Sequence, residues 1–418
     1  MSEDNIIVGI VTSPNEDGYF NNGLHQNAYY LYKLYKNVPR VTPLLMYPNK
    51  LVKGKPSPEQ STIFGEPAYN LDLFKEKYGV HALLFVSAVI PRAMLKPFRD
   101  KGVKLATVVY GNRYVMDQEA IVFGHLESPT KSMTNFAKRN LWREDGDMDA
   151  VWLSPHFGWQ KDYIKHRYAA QRSFICPYIW DPELLDLKYD EYPHYKKNPR
   201  GFTVGHPGNK NIFCTEPNIN VLKTSLFPYQ AADIAYRDGG DLNKLYLYNT
   251  KDMILNNKDI AFYMSQFPLT LDKKIVFEHR YGLPAMTKTS KVMFHHHFEN
   301  GLNYTLLECA RLGLPVVHNS EFMPELGYYY HKADLTAAAA QIKSALKHEE
   351  RDDLDEYNQT AHDVIRRFSI SNAQNLRGYQ TLLANLLDNS LGVELPEYIV
   401  EYENKYEASK PSFSPMSE

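Results

Sequence analysis

Cysteine is scarce in this chain. There are 3 in 418 residues, Cys176, Cys214 and Cys309, all far apart. They supply neither a disulfide framework nor a metal-ligand spacing, so a reducing compartment, the cytoplasm, is expected. Excess charge is lacking too: 47 Lys+Arg stand against 49 Asp+Glu, a net charge of −2. That excludes a histone-like coat on a polyanion but leaves room for a local basic patch. No window approaches the ~18–20 continuous apolar residues of a membrane helix. The longest apolar runs, such as His81–Ile90, have the length of strands. The polar opening MSEDN has no apolar stretch of the secretory kind. Contact with a membrane, if any, is expected to be peripheral and without stable insertion. Tyr (31) and Asn (29) are abundant instead. Such usage is common in AT-rich genomes, those of many phages included.

Short apolar runs alternate with helical periodicity along the first 180 residues. Asn5–Thr12 reads as a buried strand, Asn15–Gly23 as a Gly/Asn loop, Leu24–Tyr35 as a helix and Val41–Tyr47 as a second strand. Leu71–Tyr78 and Arg92–Lys101 read as helices. Ala82–Val89, Lys104–Tyr110, Asp149–Leu153 and Ser173–Cys176 read as strands, and Gln160–Gln171 as a polar helix. Continuous apolar strands alternating with helices predict a parallel sheet covered on both faces. Pro177–Gly201 holds four prolines and many charges and reads as a connection. A second alternation follows, with strands at Phe202–Gly205, Lys244–Leu247, Val292–His297 and Pro315–His318. Helices are predicted at Val221–Ala235, Met253–Lys258, Tyr304–Leu312, Thr336–Lys347, Asp353–Phe368 and Ala373–Leu391.

The expected organisation is thus an acceptor-side domain over 1–180, a linker over 181–200, a nucleotide-binding domain over 201–390 and a tail over 391–418. The last helices or the tail are expected to pack on the first domain. The fold class is α/β, two doubly wound parallel-sheet, Rossmann-like domains facing a cleft. In open α/β sheets ligands bind outside the carboxyl ends of the strands.

The segment Phe294–Tyr330 carries the densest chemistry. A strand ends in His295-His296-His297, a polar turn Glu299-Asn300-Gly301-Leu302-Asn303 follows, and a helix begins at Tyr304. Free backbone N–H groups at that helix N-terminus suit a diphosphate, with Asn303 as the cap. Glu308, about one and a half turns further, can accept two hydrogen bonds from a ribose diol. A solvated helix face is the competing reading of Glu308. Three consecutive histidines on a strand point to alternate faces, so they are not expected to converge on one metal ion.

Glu308-Cys309-Ala310-Arg311-Leu312-Gly313-Leu314-Pro315-Val316-Val317 resembles the donor-binding signature of GT-B glycosyltransferases. That signature has two glutamates eight apart, an alanine and a Gly-x-Pro-Val-Val ending. Glu308 matches the second glutamate, which the resemblance implies binds ribose. Position 300, where the first would stand, is Asn300. Over nearly its whole length the chain is also similar to a bacterial and phage family of glycosyltransferase-like proteins. The matching stretches are Asn22–Asn27, Glu216–Thr224, Asn303-Tyr304, His318-Asn319-Ser320 and Gly327–Tyr330.

The resemblance implies a nucleotide-sugar donor as co-substrate, a UDP-sugar for preference, with no further cofactor and no metal. Donor contacts are expected from Gly23, Lys210, Lys223, Arg280, Asn300, Gly301, Asn303, Tyr304 and Glu308. Lys210 and Lys223 would neutralise the leaving diphosphate, as glycosyl transfer without a metal requires. Arg280 lies where the base would be recognised. Catalytic candidates are His25, Asp117 and His156, with Asp17 also open as a base. Acceptor contacts are assigned to Asn22, Lys161 and Arg167. Two basic–aromatic segments, Lys131–Arg143 and Lys161–Arg172, could follow phosphates or be plain solvated helix faces. The favoured acceptor is double-stranded phage DNA carrying hydroxymethylcytosine. A cell-surface polysaccharide or lipopolysaccharide is the alternative. A non-catalytic nucleotide-binding clamshell, and a phosphorylase or epimerase on the same fold, also stay open.

Overall fold

The computed structural model describes residues 5–13, 19–20, 23–48, 60–71, 79–86, 92–123, 147–190, 209–388, 397 and 400–401. Asn22, Asp17 and the segment Lys131–Arg143 lie outside them, as do the strand expected at Phe202–Gly205, all but Leu71 of the helix expected at Leu71–Tyr78 and most of the tail. The chain forms two compact units. One comprises Met1–Gly111, Arg143–Ile179 and Phe368–Glu418, the other Asn112–Trp142 and Trp180–Arg367.

The elements up to residue 190 are β1 (Ile6–Val11), α1 (Gly23–Lys36), β2 (Val41–Tyr47), β3 (Gln60–Ile63), β4 (Glu66–Asn70), β5 (Ala82–Phe85), α2 (Arg92–Arg99), β6 (Lys104–Val109), α3 (Arg113–Phe123), β7 (Ala150–Leu153), α4 (Lys161–Arg167), β8 (Arg172–Ile175) and α5 (Glu183–Asp190). All eight strands enter the sheet of the first unit, in the order β3-β4-β2-β1-β5-β6-β7-β8. Only β3 runs antiparallel, against β4. This hairpin, with Glu66, Pro67 and Asn70 in β4, had no alternating apolar signal to reveal it. By contrast β1, β5, β6 and β7 are buried nearly throughout, as continuous apolar runs in a covered parallel sheet should be.

The C-terminal helix α14 (Ala373–Asp388) belongs to this first unit. Tyr379 fixes it there. Its hydroxyl donates to the Pro177 carbonyl (2.8 Å) and lies 3.0 Å from the Tyr110 hydroxyl, and its own carbonyl accepts from the Tyr35 hydroxyl (3.1 Å). Arg172 Nη1 donates to both the carbonyl (2.9 Å) and the Oδ1 (2.6 Å) of Asn385.

The second unit continues with β9 (Ile212–Cys214), α6 (Leu226–Arg237), β10 (Leu245–Leu247), α7 (Lys251–Asn256), α8 (Lys258–Ser265), α9 (Pro268–Leu271), β11 (Ile275–Phe277), α10 (Leu283–Met286), β12 (Val292–His295), α11 (Tyr304–Leu312), β13 (Val316–His318), β14 (Tyr328–Tyr329), α12 (Leu335–Ala345) and α13 (Leu354–Phe368). Its six described strands are all parallel, in the order β11-β10-β9-β12-β13-β14. The stretch read as a linker is helical over Glu183–Asp190 and packs with this unit.

Both sheets reverse winding direction beside one central strand. The reversal falls between β1 and β5 in the first sheet and between β9 and β12 in the second. Just outside the carboxyl ends at such a point, two loops diverge and leave a crevice. The residues that leave β9 and β12 are therefore placed for function before any side chain is considered.

Candidate functional site

Thr215 and Glu216 leave β9, and His296 and His297 leave β12, so the crevice of the second sheet is lined by Glu216 and the histidines. Two left-handed asparagines hold the loops. Asn218 has φ 53° and Asn249 φ 59°, a conformation Asn tolerates better than most residues. Asn218 Nδ2 donates to the Glu216 carbonyl (2.9 Å) and to Ser225 Oγ (2.8 Å), and Asn249 Nδ2 donates to the Thr215 carbonyl (2.8 Å). From the neighbouring strand end, Asn319 accepts from the His297 N–H (3.1 Å) and donates to its carbonyl (2.8 Å).

Glu216, His295 and His297 are buried, at 1%, 3% and 5% exposure. Glu216 Oε2 lies 2.9 Å from His297 Nε2, and Oε1 lies 2.9 Å from His295 Nδ1. Burial alone would push the Glu216 carboxyl up, but His297 and His295 together outweigh it and hold it well below the usual range. Burial pushes His297 down to about 3, so its imidazole is the neutral donor to an anionic Glu216. On its other side His297 Nδ1 meets the Asn300 amide nitrogen at 2.9 Å. His296 faces the opposite way, stacked on Phe227 at 3.9 Å with its Nδ1 2.7 Å from the Tyr330 hydroxyl.

Strand alternation thus separates His296 from its neighbours, as expected, but His295 and His297 share a face and do converge. The sequence reading missed that pair because their partner carboxylate is 79 and 81 residues away. The only local signal was Glu216 itself, one residue beyond the apolar triplet Ile212–Cys214. The expectation of metal independence also passed over Asp-x-Asp patterns present at Asp145–Asp147, Asp147–Asp149 and Asp353–Asp355. In the structure Asp149 Oδ2 accepts from the Leu105 N–H (2.8 Å), and Asp353 pairs with Arg351 (2.6 Å). Both therefore have structural partners.

Beyond the histidines the chain turns into α11. Gly301 is pressed on Phe322, whose ring a Cβ would meet at 3.0 Å. Asn303 is extended (φ −146°) and caps the helix, its Oδ1 accepting from the Thr305 N–H at 2.9 Å. Gly313, left-handed at φ 65°, ends the helix and turns the chain into β13. The Gly-x-Pro-Val-Val run is thus a helix stop followed by a buried strand. Glu308 lies partly buried on α11. Burial pushes its carboxyl up to about 7, with Lys188 opposing. Among the described residues its carboxylate has no hydrogen-bond or ion-pair partner.

Of the donor residues expected from sequence, Lys223, Asn300, Gly301, Asn303, Tyr304 and Glu308 collect around this switch point. Lys223 follows Glu216 in the same loop, where burial pulls its ammonium down and Glu216 pulls it up. Arg280 is exposed after β11, on the same sheet edge but two strands from β9. Lys210 does not join them. Among the described residues the first strand of this sheet is Ile212–Cys214, and Lys210 precedes it, at its amino end. There its Nζ donates to the Leu346 carbonyl (2.8 Å) and lies 3.4 Å from Glu350.

The remaining candidates lie elsewhere. Gly23 and His25 begin α1 in the first unit, with the His25 ring 5.5 Å from that of Tyr19. His156 follows β7, buried, with Nδ1 3.0 Å from Ser154 Oγ and its ring 3.8 Å from Phe157. Lys161 and Arg167 are the first and last residues of α4. Asp117 is on α3, counted with the second unit and paired with Arg113 at 3.0 Å.

Residues 6–383 match the family described as "Protein of unknown function (DUF2827)", and the chain belongs to that family. No curated protein matches the sequence. Among solved structures, a glycosyltransferase from Rickettsia africae is 13% identical, with 93% of this chain and 100% of that chain covered, at a TM-score of 0.50. The N-terminal domain of Candida albicans trehalose-6-phosphate phosphatase is 11% identical, covering 93% and 97%, at 0.53. An α,α-trehalose 6-phosphate synthase from Burkholderia multivorans is 11% identical, covering 92% and 98%, at 0.50. The likeness is one of fold: two parallel α/β sheets, as in GT-B glycosyltransferases.

Proposed function

We propose that this chain is a nucleotide-sugar-dependent glycosyltransferase whose donor binds at the carboxyl edge of the second sheet. The observation that carries the reading is Glu308, a partly buried carboxylate on an Asn-capped helix beside the switch point, with no hydrogen-bond or ion-pair partner among the described residues. A ribose diol supplies the two donors that this carboxylate lacks. The positive N-terminal end of α11 at Asn303, with Lys223, supplies favourable potential for the diphosphate. In such a reaction that potential favours departure of the nucleoside diphosphate as negative charge develops on it. A UDP-sugar is the proposed donor, and His25 and His156 are the candidates for proton transfer.

For the acceptor, a glycan is favoured over hydroxymethylcytosine in DNA. Within the segment Lys161–Arg172, Arg172 is committed to Asn385 and Tyr163 packs against the core. Neither is therefore available to follow phosphates. The test is transfer of label from radiolabelled UDP- and GDP-sugars to a lipid-linked glycan extract and to hydroxymethylcytosine DNA. Transfer to glycan supports the reading. Transfer to DNA, weakening with salt by a slope of about 0.9 per phosphate contact, would return the acceptor to nucleic acid. Nucleotide binding without transfer or hydrolysis under any pairing would favour the non-catalytic alternative.

A further inference from the structure

Glu216, His295 and His297 place one carboxylate oxygen and two imidazole nitrogens within 4.8 Å of one another, all buried. Not every one of these atoms is used by the protein itself. Among the described residues His295 Nδ1 and Nε2 and Glu216 Oε1 have no hydrogen-bond partner, the 2.9 Å approach of Nδ1 to Oε1 being too poorly aligned to count as one. Buried polar groups are rarely left so, because each retains its desolvation cost uncompensated. One His295 nitrogen and Glu216 Oε1, brought together at the ends of two strands beside His297, are the signature of a missing common partner.

We propose that Glu216, His295 and His297 bind a single divalent transition-metal ion of the zinc class in the crevice beyond β9 and β12. Two imidazoles and one carboxylate are a ligand set that zinc accepts, leaving a further coordination position for water or a ligand. The surroundings suit both states of the site. Without the ion, His297 donates Nε2–H to Glu216. With it, Nε2 must be free of its proton, and the tautomer with Nδ1–H can donate instead to the Asn300 carbonyl, 3.2 Å away. Orientation of a ligating histidine by a carbonyl on its second nitrogen is the usual outer support of such sites. The asparagines at 218, 249 and 319 hold the backbone on both sides of the cluster. This reverses the metal-free expectation drawn from the sequence, and it does not depend on the donor reading.

The experiment uses the full-length protein, stripped by chelator and titrated with Zn²⁺ by calorimetry and with Co²⁺ by visible absorption. One ion per chain is expected, with the intense Co²⁺ bands of a four- or five-coordinate nitrogen/oxygen site. His295→Ala and Glu216→Gln should each lose more affinity than the roughly 10–100-fold that loss of an outer-shell partner costs. His296→Gln, altered at the neighbour that faces Phe227 and Tyr330, should bind as the parent does. Equal affinity in His295→Ala, or a weak octahedral Co²⁺ spectrum in the parent, overturns the proposal. So does a parent stoichiometry other than one. Where a variant fails to fold, the parent titration and its spectrum decide alone.

Discussion

The two sheets share a winding plan and differ in what stands at their carboxyl edges. In the first unit the candidate histidines are quiet. His156 is packed on Phe157 and bonded near Ser154, and His25 leans toward Tyr19. In the second unit the edge carries an anionic Glu216 between His295 and His297, and a Glu308 without a hydrogen-bond partner among the described residues. Equal topology therefore gives equal opportunity, and among the described residues the second edge holds a buried Glu216 Oε1 and His295 ring without hydrogen bonds. The difference teaches that the switch point locates a site, while unsatisfied polar atoms identify which site awaits a partner.

The largest expected effect breaks this contrast directly. Glu308→Ala should weaken UDP or UDP-sugar binding by ~1.5–3 kcal/mol, the range for hydrogen bonds to a charged group. His156→Ala, on the other unit, should leave nucleotide affinity unchanged. Calorimetry on both variants is the measurement. Unchanged binding in Glu308→Ala, or an equal loss in His156→Ala, would show that the nucleotide is held elsewhere.

A comparable effect tests the stability of the quieter unit. Tyr379→Phe removes a buried hydroxyl that donates to the Pro177 carbonyl and meets Tyr110. Leaving that carbonyl unpaired should cost ~1–3 kcal/mol in denaturant unfolding. Nucleotide binding should stay as in the parent. A variant of unaltered stability would mean that α14 is not anchored through this hydroxyl.

Much of this arrangement was legible because continuous apolar runs and helical periodicity are local signals. Val41–Tyr47 and Tyr304–Leu312 are strand and helix at the bounds read from sequence. What failed was short or weakly patterned. β9 and β11 are three residues each, and β3 and β4 carry polar residues and a proline. β9 went unread, so Lys210 was placed after a strand at Phe202–Gly205, which lies outside the described residues, whereas it directly precedes β9. The site was legible where it is contiguous, from Asn300 to Glu308. It was hidden where it is assembled over 79 or more residues of chain, since only pairing of β12 with β9 brings the histidines to Glu216.

Asn303→Ala gives a smaller effect with a two-part readout. Loss of the cap on α11 should cost ~1 kcal/mol of stability. It should also weaken nucleotide binding, because the same cap orders the N–H groups proposed to face the diphosphate. Asn303→Asp keeps the cap, and should restore the stability while repelling the diphosphate. If Asn303→Asp binds nucleotide as the parent does, the helix N-terminus is not the anion site.

The smallest effect concerns pH and separates Glu308 from an ordinary surface carboxylate. Its folded pKa is raised to about 7 from 4.5, because burial disfavours the anion more than Lys188 favours it. Between those values the folded state therefore holds more protons than the unfolded state, and stability falls as pH rises. Glu308→Gln removes the ionising group, so its thermal midpoint should exceed that of the parent at pH 8. The gap should shrink as pH drops through 7, and close below about 4.5, where the parent carboxyl is protonated in both states. Partial exposure of the side chain keeps the expected gap modest, because water screens what burial would otherwise impose. Saturating UDP should narrow it further in the parent, since a diol that satisfies the carboxylate lowers its pKa. A midpoint gap that is constant from pH 4 to 8 would mean that Glu308 titrates as a solvated glutamate. The contrast between the two edges would then rest on the Glu216 cluster alone.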